Sequence, residues 1–239
     1  MSQVSREALE SAAARNALLA GLPPDDSRRL AICLEEVQCP AGMLLVEDAQ
    51  RAEHVYFPAT CVAARFCTLD DGVSVELSIV GCDGFVGVPT ILGGGAMPWQ
   101  VETIIGGDAI RMPAAALLAE FRRGGALERL LLRYTRELIV QVSVEASCRS
   151  HHTVERRLAR LLLQVAERRS GTDLPLTQES LGMLLGSRRE TVCHATARLR
   201  DQGSIHHERG HVRILDAARL RKAACACFRP IAEAKAHGR

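Results

Sequence analysis

Residues 177–213 decide the fold of the second half of this chain, and they read TQESLGMLLGSRRETVCHATARLRDQGSIHHERGHVR. Thr177 is suited to cap a first short helix, because its hydroxyl accepts a hydrogen bond from an amide of the first turn. Gly186 permits a left-handed turn into a second helix. Apolar residues recur on both helices at helical spacing: Leu181, Leu184, Leu185, Val192, Ala195 and Leu199. Residues 204–215 favour a hairpin turning at Glu208-Arg209-Gly210, so the stretch predicts a helix-turn-helix with a β-wing.

The second of these helices opens with side chains that match the edges of DNA bases. Arg189 can hold guanine through O6 and N7, and Glu190 can accept a hydrogen bond from cytosine N4. His194 can donate to guanine or to a phosphate, and Arg188 at the helix start favours phosphate. We therefore predict double-stranded DNA as a partner, contacted by Thr177, Ser187, Arg188, Arg189, Glu190, Cys193, His194, Arg209 and His211. The alternative is a solvated face whose charges pair with one another.

The distribution of charge supports the DNA interpretation. Residues 1–148 contain 12 basic and 19 acidic side chains, a net charge of −7, whereas residues 149–239 contain 18 and 9, a net charge of +9. Such an asymmetry is typical of a nucleic-acid-binding domain carried by another domain. No apolar run reaches the ~20 residues of a membrane span, and no signal-peptide core is present. We expect a cytoplasmic protein without a membrane partner.

The first half of the chain predicts short strands. Apolar residues alternate in VSVELSI, residues 73–79, as in a half-buried strand. Leu69-Asp70-Asp71-Gly72 is a hairpin signal, and glycine-rich turns follow between residues 81 and 95. Many short strands joined by such turns favour a β-barrel or jelly roll. Helices are expected within residues 2–20 and from about Asp26 onward.

Residues 126–148 predict one long helix, because they lack Gly and Pro and place apolar residues at i, i+3 and i+4 spacing. Leu132, Ile139, Val140 and Val144 widen its apolar surface beyond one stripe. The simplest partner for the excess is a second copy of the helix in a two-fold dimer. The alternative is a helix buried within one monomer. A further amphipathic helix is predicted over residues 153–169, with Val154, Leu158, Leu161, Leu162 and Val165 facing inward.

This order of elements resembles the Crp/Fnr family of bacterial transcription regulators, and its most specific part is GSRRETV, residues 186–192, close to the family's Gly-x-Ser-Arg-Glu-Thr-Val. The resemblance implies an α+β fold with three parts. These are a cyclic-nucleotide-binding-like jelly-roll or β-roll sensor domain over residues 1–125, a dimerisation helix and hinge over 126–150, and a winged helix-turn-helix domain over 151–239.

The resemblance also implies the way in which DNA is bound. Arg189 and Glu190 would be the base-reading pair, and His194 stands where the family usually has Arg. A homodimer formed through residues 126–148 would bind a palindrome with a TGTGA-like half-site. RNA polymerase is the implied further partner.

The resemblance is weakest at the effector site. Val88 replaces the Glu that holds ribose in cyclic-nucleotide members, and Met97-Pro98-Trp99 replaces the Arg-Ser-Ala that holds the cyclic phosphate. No Arg, Lys or His occurs from Phe66 to Ile110, and a buried phosphate without a charged partner is costly. The cAMP-binding motif is therefore absent by this comparison, and the effector is unknown. The effector pocket is predicted at Gly84, Phe85, Gly87, Val88, Pro98, Trp99, Val142 and Ser143.

The nine cysteines predict free thiols, and neither a metal site nor a cofactor is predicted. Cys33 and Cys39 are isolated, and Cys225-x-Cys227 cannot place both thiols on one helix face. His206 and His207 are adjacent on a strand, so they point to opposite faces. Haem ligation through His54, Cys61, Cys67 or Cys82 is open but unspecified.

Two alternative functions stay open. Cys193 lies near a helix start and among cations, conditions under which thiols become reactive, so its oxidation would block DNA binding. Its other interpretation is a small residue that contacts a base or phosphate. The chain could also be a small-molecule-binding regulatory module that does not read DNA. An enzyme is not expected, because no Ser/His/Asp, HExxH or P-loop arrangement appears.

Overall fold

The computed structural model describes residues 13–47, 50–70, 72, 74–96 and 98–227. The predictions for residues 2–12, Asp71, Val73 and Met97 lie outside these ranges. The described chain forms two compact units. The first contains the described residues up to Arg65 together with Val80–Thr135, and the second contains the described part of Phe66–Ile79 together with the described residues from Arg136 onward. This grouping does not test the functional boundaries predicted at residues 125 and 150.

The first unit is built on antiparallel strands. Its first sheet has the order β1-β7-β3, and Arg111 of the central strand lies opposite Glu35 on one side and Tyr56 on the other. In a second sheet β2, β6 and β4 lie side by side. The strands are β1 (Glu35–Cys39), β2 (Leu44–Val46), β3 (His54–Pro58), β4 (Val62–Thr68), β5 (Ser74–Val80), β6 (Gln100–Ile105) and β7 (Gly107–Pro113). The last residues of β4 and most of β5 belong to the second unit.

Short helices close the first unit. They are α1 (Ala17–Ala20), α2 (Pro24–Leu30), α3 (Val88–Ile91) and α4 (Ala114–Arg122). Asn16 caps α1, and its buried amide nitrogen also donates to the carbonyls of Pro58 and Gly84, at 2.9 Å each. The apolar core includes Phe85, whose ring centroid lies 5.8 Å from that of Phe57 and 5.3 Å from that of Tyr134. Helix α3 was not predicted from the sequence.

The long helix α5 (Ala126–His151) forms as predicted and extends three residues further. It begins after Gly124 and Gly125, which both have positive φ. Leu127 and Leu131 are buried, but Leu132 and Ile139 are 46% and 63% exposed. The alternative prediction, that the helix is buried within one monomer, is therefore wrong for these two side chains.

The second unit contains the helix-turn-helix and its wing. Its remaining elements are α6 (Val154–Arg169), β8 (Asp173–Leu174), α7 (Gln178–Leu185), α8 (Arg189–Asp201), β9 (Ile205–Glu208), β10 (His211–Ile214) and α9 (Ala217–Ala223). The strands form one sheet in the order β8-β10-β9. Together with the β strands of the first unit and the long helix, these elements confirm the predicted α+β fold class. None of the described helices has the length and apolar character needed to cross a membrane.

Helix α6 buries more charge than its sequence pattern predicts. Leu158, Leu161, Leu162 and Val165 face the core as expected, but three arginines are buried as well: Arg157, Arg160 and Arg168. The Arg160 guanidinium holds both carboxylate oxygens of buried Glu145, with one contact at 2.6 Å. Buried charges need such partners. Arg168 donates to the Gln141 side chain at 3.3 Å, and Arg157 donates to the Leu185 carbonyl.

Candidate DNA-binding surface and effector cavity

Helix α7 and the turn after it have the predicted local chemistry. Thr177 caps the helix, because its hydroxyl accepts from the Ser180 amide at 3.0 Å while the Ser180 hydroxyl accepts from the Thr177 amide at 2.8 Å. Gly186 adopts the left-handed conformation at φ 55°. A Cβ at Gly182 would lie 3.2 Å from the Ser187 carbonyl oxygen. Glycine at 182 therefore permits the close return of the chain toward α8.

Helix α8 separates a buried face from an exposed one. Val192, Ala195 and Leu199 are buried. The opposite side and the first turn expose the predicted DNA-contacting residues Arg188, Arg189, Glu190, Cys193 and His194. Within the described ranges, none of these five side chains forms a hydrogen bond or ion pair. Ion pairs occur further along the helix, where Arg198 meets Glu155 at 3.2 Å. The alternative prediction, a solvated face whose charges pair with one another, therefore does not hold for the start of α8.

The first turn of α8 has no side-chain cap for its backbone amides. Arg188 stands at the N-cap position in extended conformation, and its side chain does not cap the helix. Amides at a helix start, combined with the helix dipole, favour an anion such as a phosphate. Ser187 is half-buried, and its hydroxyl donates to the Leu185 carbonyl at 3.2 Å. The start of α8 thus combines cationic side chains with a backbone site suited to phosphate.

The wing has one highly exposed arginine at its tip and two further residues beside a carboxylate. Arg209 is 92% exposed and adopts a positive φ of 43°. His211 and Arg213 lie 3.6 Å and 3.9 Å from the Asp173 carboxylate. Arg209 lies 4.0 Å from the Glu208 carboxylate, so each arginine of the wing has a nearby acidic partner, and Arg209 is the more exposed of the two.

The three wing histidines do not converge. His206 lies 3.4 Å from the Glu208 carboxylate, and the His207 ring lies 3.4 Å from the Gln178 amide nitrogen. Burial lowers the pKa of His207, so its neutral form is favoured. Over the residues that the structure describes, the wing histidines form no metal-ligating group.

A cavity of about 590 Å³ lies within the first unit. Of the predicted pocket residues, Gly87 and Trp99 line it. Phe85 and Val88 are instead buried, Pro98 and Ser143 are exposed, and Val142 is half-buried. Gly84 packs directly against Tyr134, so closely that a Cβ at this position would stand only 2.3 Å from the ring.

The cavity carries cations that the sequence comparison did not anticipate. Arg51, Arg65 and Arg122 line it together with Glu53, and none of the three arginines lies between residues 66 and 110. The segment from residue 66 to residue 110 contains no cation, but the cavity receives its cations from other parts of the chain. Arg65 is buried and donates to the Phe85 carbonyl at 3.1 Å. The Arg51 guanidinium lies beside the glycine-rich turn, 3.8 Å from where a Cβ of Gly94 would stand.

Four potential metal ligands meet elsewhere, in the second unit. The ligand atoms of Cys148, His152, Cys225 and Cys227 all lie within 4.8 Å of one another. Cys225 and Cys227 both follow α9, which ends at Ala223, so the expected separation of their thiols on a helix does not apply. The overlooked signal was Cys148-x-x-x-His152, whose i, i+4 spacing places both side chains on one face of a helix.

The described geometry is that of a DNA-binding helix-turn-helix with a wing, joined to a β-rich domain by a long helix. Residues 156–223 match the family described as the Crp-like helix-turn-helix domain. A CRP-like cAMP-activated global transcriptional regulator of Mycobacterium tuberculosis is 27% identical over 218 residues, which span 88% of this chain and 97% of that protein.

Solved structures share the fold. FixK2 from Bradyrhizobium japonicum superposes with a TM-score of 0.69 and 19% identity, over 81% of this chain and 98% of that one. A protein from Silicibacter pomeroyi described as a putative cAMP-binding regulatory protein gives 0.63 and 19%, over 91% and 99%. The fold of this chain and its helix-turn-helix domain are of the Crp/Fnr type.

Proposed function

We propose that the protein binds a palindromic DNA operator as a homodimer and changes its affinity for that operator when a small anionic effector enters the cavity of the first unit. The observation that carries the DNA-binding part is the start of α8, where exposed Arg188, Arg189 and Glu190 have no partner among the described residues. A helix of this exposure and composition fits the major groove.

The side chains divide into two roles. Arg189 pairs with guanine and Glu190 accepts from cytosine, so these two residues read sequence. Arg188 and Arg209 contact phosphates, and the uncapped amides at the start of α8 hold a further phosphate. His194 sets the preference at one further base pair, within a half-site related to TGTGA.

The homodimer is proposed from the apolar surface of α5. Leu132 and Ile139 are exposed and stand seven residues apart, so they lie on nearly the same side of the helix. Two copies of α5 packed along this line would remove both side chains from water. A two-fold dimer also matches the symmetry of a palindrome. We further propose that the dimer acts in the cytoplasm, with RNA polymerase as its next partner.

The effector is proposed to be an anion other than cAMP. Three arginines give the cavity positive charge, and Glu53 can accept a hydrogen bond from a ligand hydroxyl or amine. Its volume lies in the range of ligand sites, about 300–1,000 Å³. Val88 and Pro98-Trp99 supply none of the ribose- and phosphate-binding groups that the family uses for cyclic nucleotides.

Genome-wide mapping of bound DNA followed by equilibrium binding tests the proposal. We expect the mapped sites to share a palindrome, and purified protein to prefer it over a scrambled duplex by at least about 1,000-fold. Affinity for both duplexes should fall as the salt concentration rises, because bound phosphates release counterions. Equal affinity for the two duplexes, or affinity independent of salt, would contradict DNA reading by α8.

Redox control through Cys193 is a second candidate, favoured by the exposure of this thiol on the DNA-facing side of α8. Peroxide treatment should weaken operator binding by the native protein and leave Cys193→Ser unaffected. If both proteins respond equally, a different cysteine is responsible.

A further inference from the structure

We infer that the second unit binds one zinc ion through Cys148, His152, Cys225 and Cys227. All four residues belong to that unit, and the site joins the end of α5 to the chain that follows α9.

The spacing of the ligand atoms fits a single tetrahedral ion. The sulfur atoms of Cys148 and Cys225 are 3.5 Å apart, and the Cys227 sulfur lies 3.5 Å from His152 Nδ1. Tetrahedral zinc has bonds of about 2.3 Å to sulfur and about 2.0–2.1 Å to nitrogen, which place neighbouring ligand atoms about 3.5–3.8 Å apart. The four atoms therefore need only small shifts to surround one ion.

Local structure explains why the four side chains converge. Cys148 lies in the last turn of α5, and His152 directly follows the helix, with its backbone amide donating to the Cys148 carbonyl at 3.0 Å. Helix α9 ends at Ala223, and Ala224 is extended, with φ −68° and ψ 156°. Because the chain is extended at Ala224, Cys225 and Cys227 are not spaced as in a helix. Both thiols can therefore lie next to the end of α5.

A buried cation lies near the proposed ligands, and cysteine binds metal as the thiolate. Three thiolates and one divalent zinc ion leave a net charge of −1, and the buried guanidinium of Arg160 acts on both Cys148 and Cys225. Arg160 is itself fixed by its paired contact with Glu145.

Two other chemistries fit this geometry less well. A disulfide requires sulfur atoms about 2.05 Å apart, whereas those of Cys148 and Cys225 are 3.5 Å apart. A four-iron cluster binds its ligands at separate corners, and four ligand atoms within 4.8 Å of one another are too close for that arrangement. Three cysteines and one histidine, with no open position, form a structural zinc set.

Metal titration of the full chain tests the site. The protein would be reduced, stripped with a chelator, and titrated with Zn²⁺ and separately with Co²⁺ in oxygen-free buffer containing a phosphine reductant. We expect saturation at about one ion per chain, thiolate-to-cobalt charge-transfer bands from a tetrahedral site, and a higher unfolding temperature with zinc. No saturation at one ion, or a cobalt spectrum without thiolate bands, would overturn the inference.

Matched variants assign the ligands. Cys227→Ser should weaken zinc binding by more than about tenfold, because a ligand at the half-buried edge of the site is lost. Cys33→Ser, which changes an exposed cysteine outside the cluster, should bind zinc as the native protein does. His152→Gln provides a second ligand variant, and circular dichroism verifies folding of each protein. Native affinity in both ligand variants would exclude the site.

Discussion

The Arg65 guanidinium donates a hydrogen bond to the Tyr134 hydroxyl over 3.2 Å, and so joins strand β4 to the long helix α5. The same nitrogen donates to the Phe85 carbonyl, and Arg65 also lines the cavity. An anion that attracts this guanidinium would therefore act directly on a side chain of α5.

Tyr134→Phe tests this link. The substitution keeps the ring against Phe85 and removes the hydroxyl, so it should lower the free energy of unfolding by about 1.5–3 kcal/mol, the range for a hydrogen bond to a charged group. Urea denaturation measures the loss. Any effector found for the native protein should alter operator affinity less in this variant. Unchanged stability together with an unchanged effector response would show that the contact transmits nothing.

Arg189→Ala tests base reading by α8. It should cost about 1–3 kcal/mol on the mapped operator and much less on random DNA, because only the operator offers the matching guanine. Fluorescence anisotropy at fixed salt measures both losses. Arg198→Ala is the matched control, since Arg198 lies on the same helix and is engaged by Glu155. If Arg189→Ala weakens the two duplexes equally, Arg189 contacts a phosphate instead.

Ile139→Glu tests the dimer. A charge at the centre of the proposed interface should shift the protein from dimer to monomer, because burying an unpaired carboxylate is costly. Sedimentation equilibrium measures the change. The control is Ile32→Glu, which alters another exposed isoleucine outside α5. A dimer that persists in Ile139→Glu would place the interface elsewhere.

Glu76 makes stability depend on pH. Burial, together with the nearby charge of Glu145, raises its pKa from 4.5 to about 8, although Arg149 at 2.9 Å and Arg160 oppose the shift. The folded state therefore binds this proton more tightly than the unfolded state. The resulting stability is fully present below about pH 4.5 and declines as pH rises through about 8. Glu76→Gln should flatten the decline, as measured by unfolding temperatures across this window, and an identical decline in both proteins would assign it to another group.

The elements that the sequence predicts are those with local signals. The Thr177 cap, the Gly186 turn and the spacing of Val192 and Leu199 are all contained within 25 residues, and the structure confirms each. The exposure of Ile139 could also be predicted, because α5 has more apolar residues than one buried stripe can hold.

Features built from residues far apart in the chain could not be predicted. In the sequence Arg160 is one of several arginines on an amphipathic helix, and nothing local shows that Glu145, 15 residues earlier, is its buried partner. The cavity takes Arg51 and Arg122 from outside the glycine-rich segment. Cys225 is brought to Cys148, 77 residues earlier, only because α9 ends early.

The paired contact between Arg160 and Glu145 limits where the chain can be truncated without loss of stability. A fragment starting at residue 151 would keep the whole helix-turn-helix and wing but would lose Glu145 and Gln141. Arg160 would then be buried without its carboxylate and Arg168 without its amide acceptor, an arrangement that costs about 3–5 kcal/mol for the broken ion pair alone. An isolated DNA-binding fragment should therefore begin no later than residue 136, the start of the portion of α5 that belongs to the second unit.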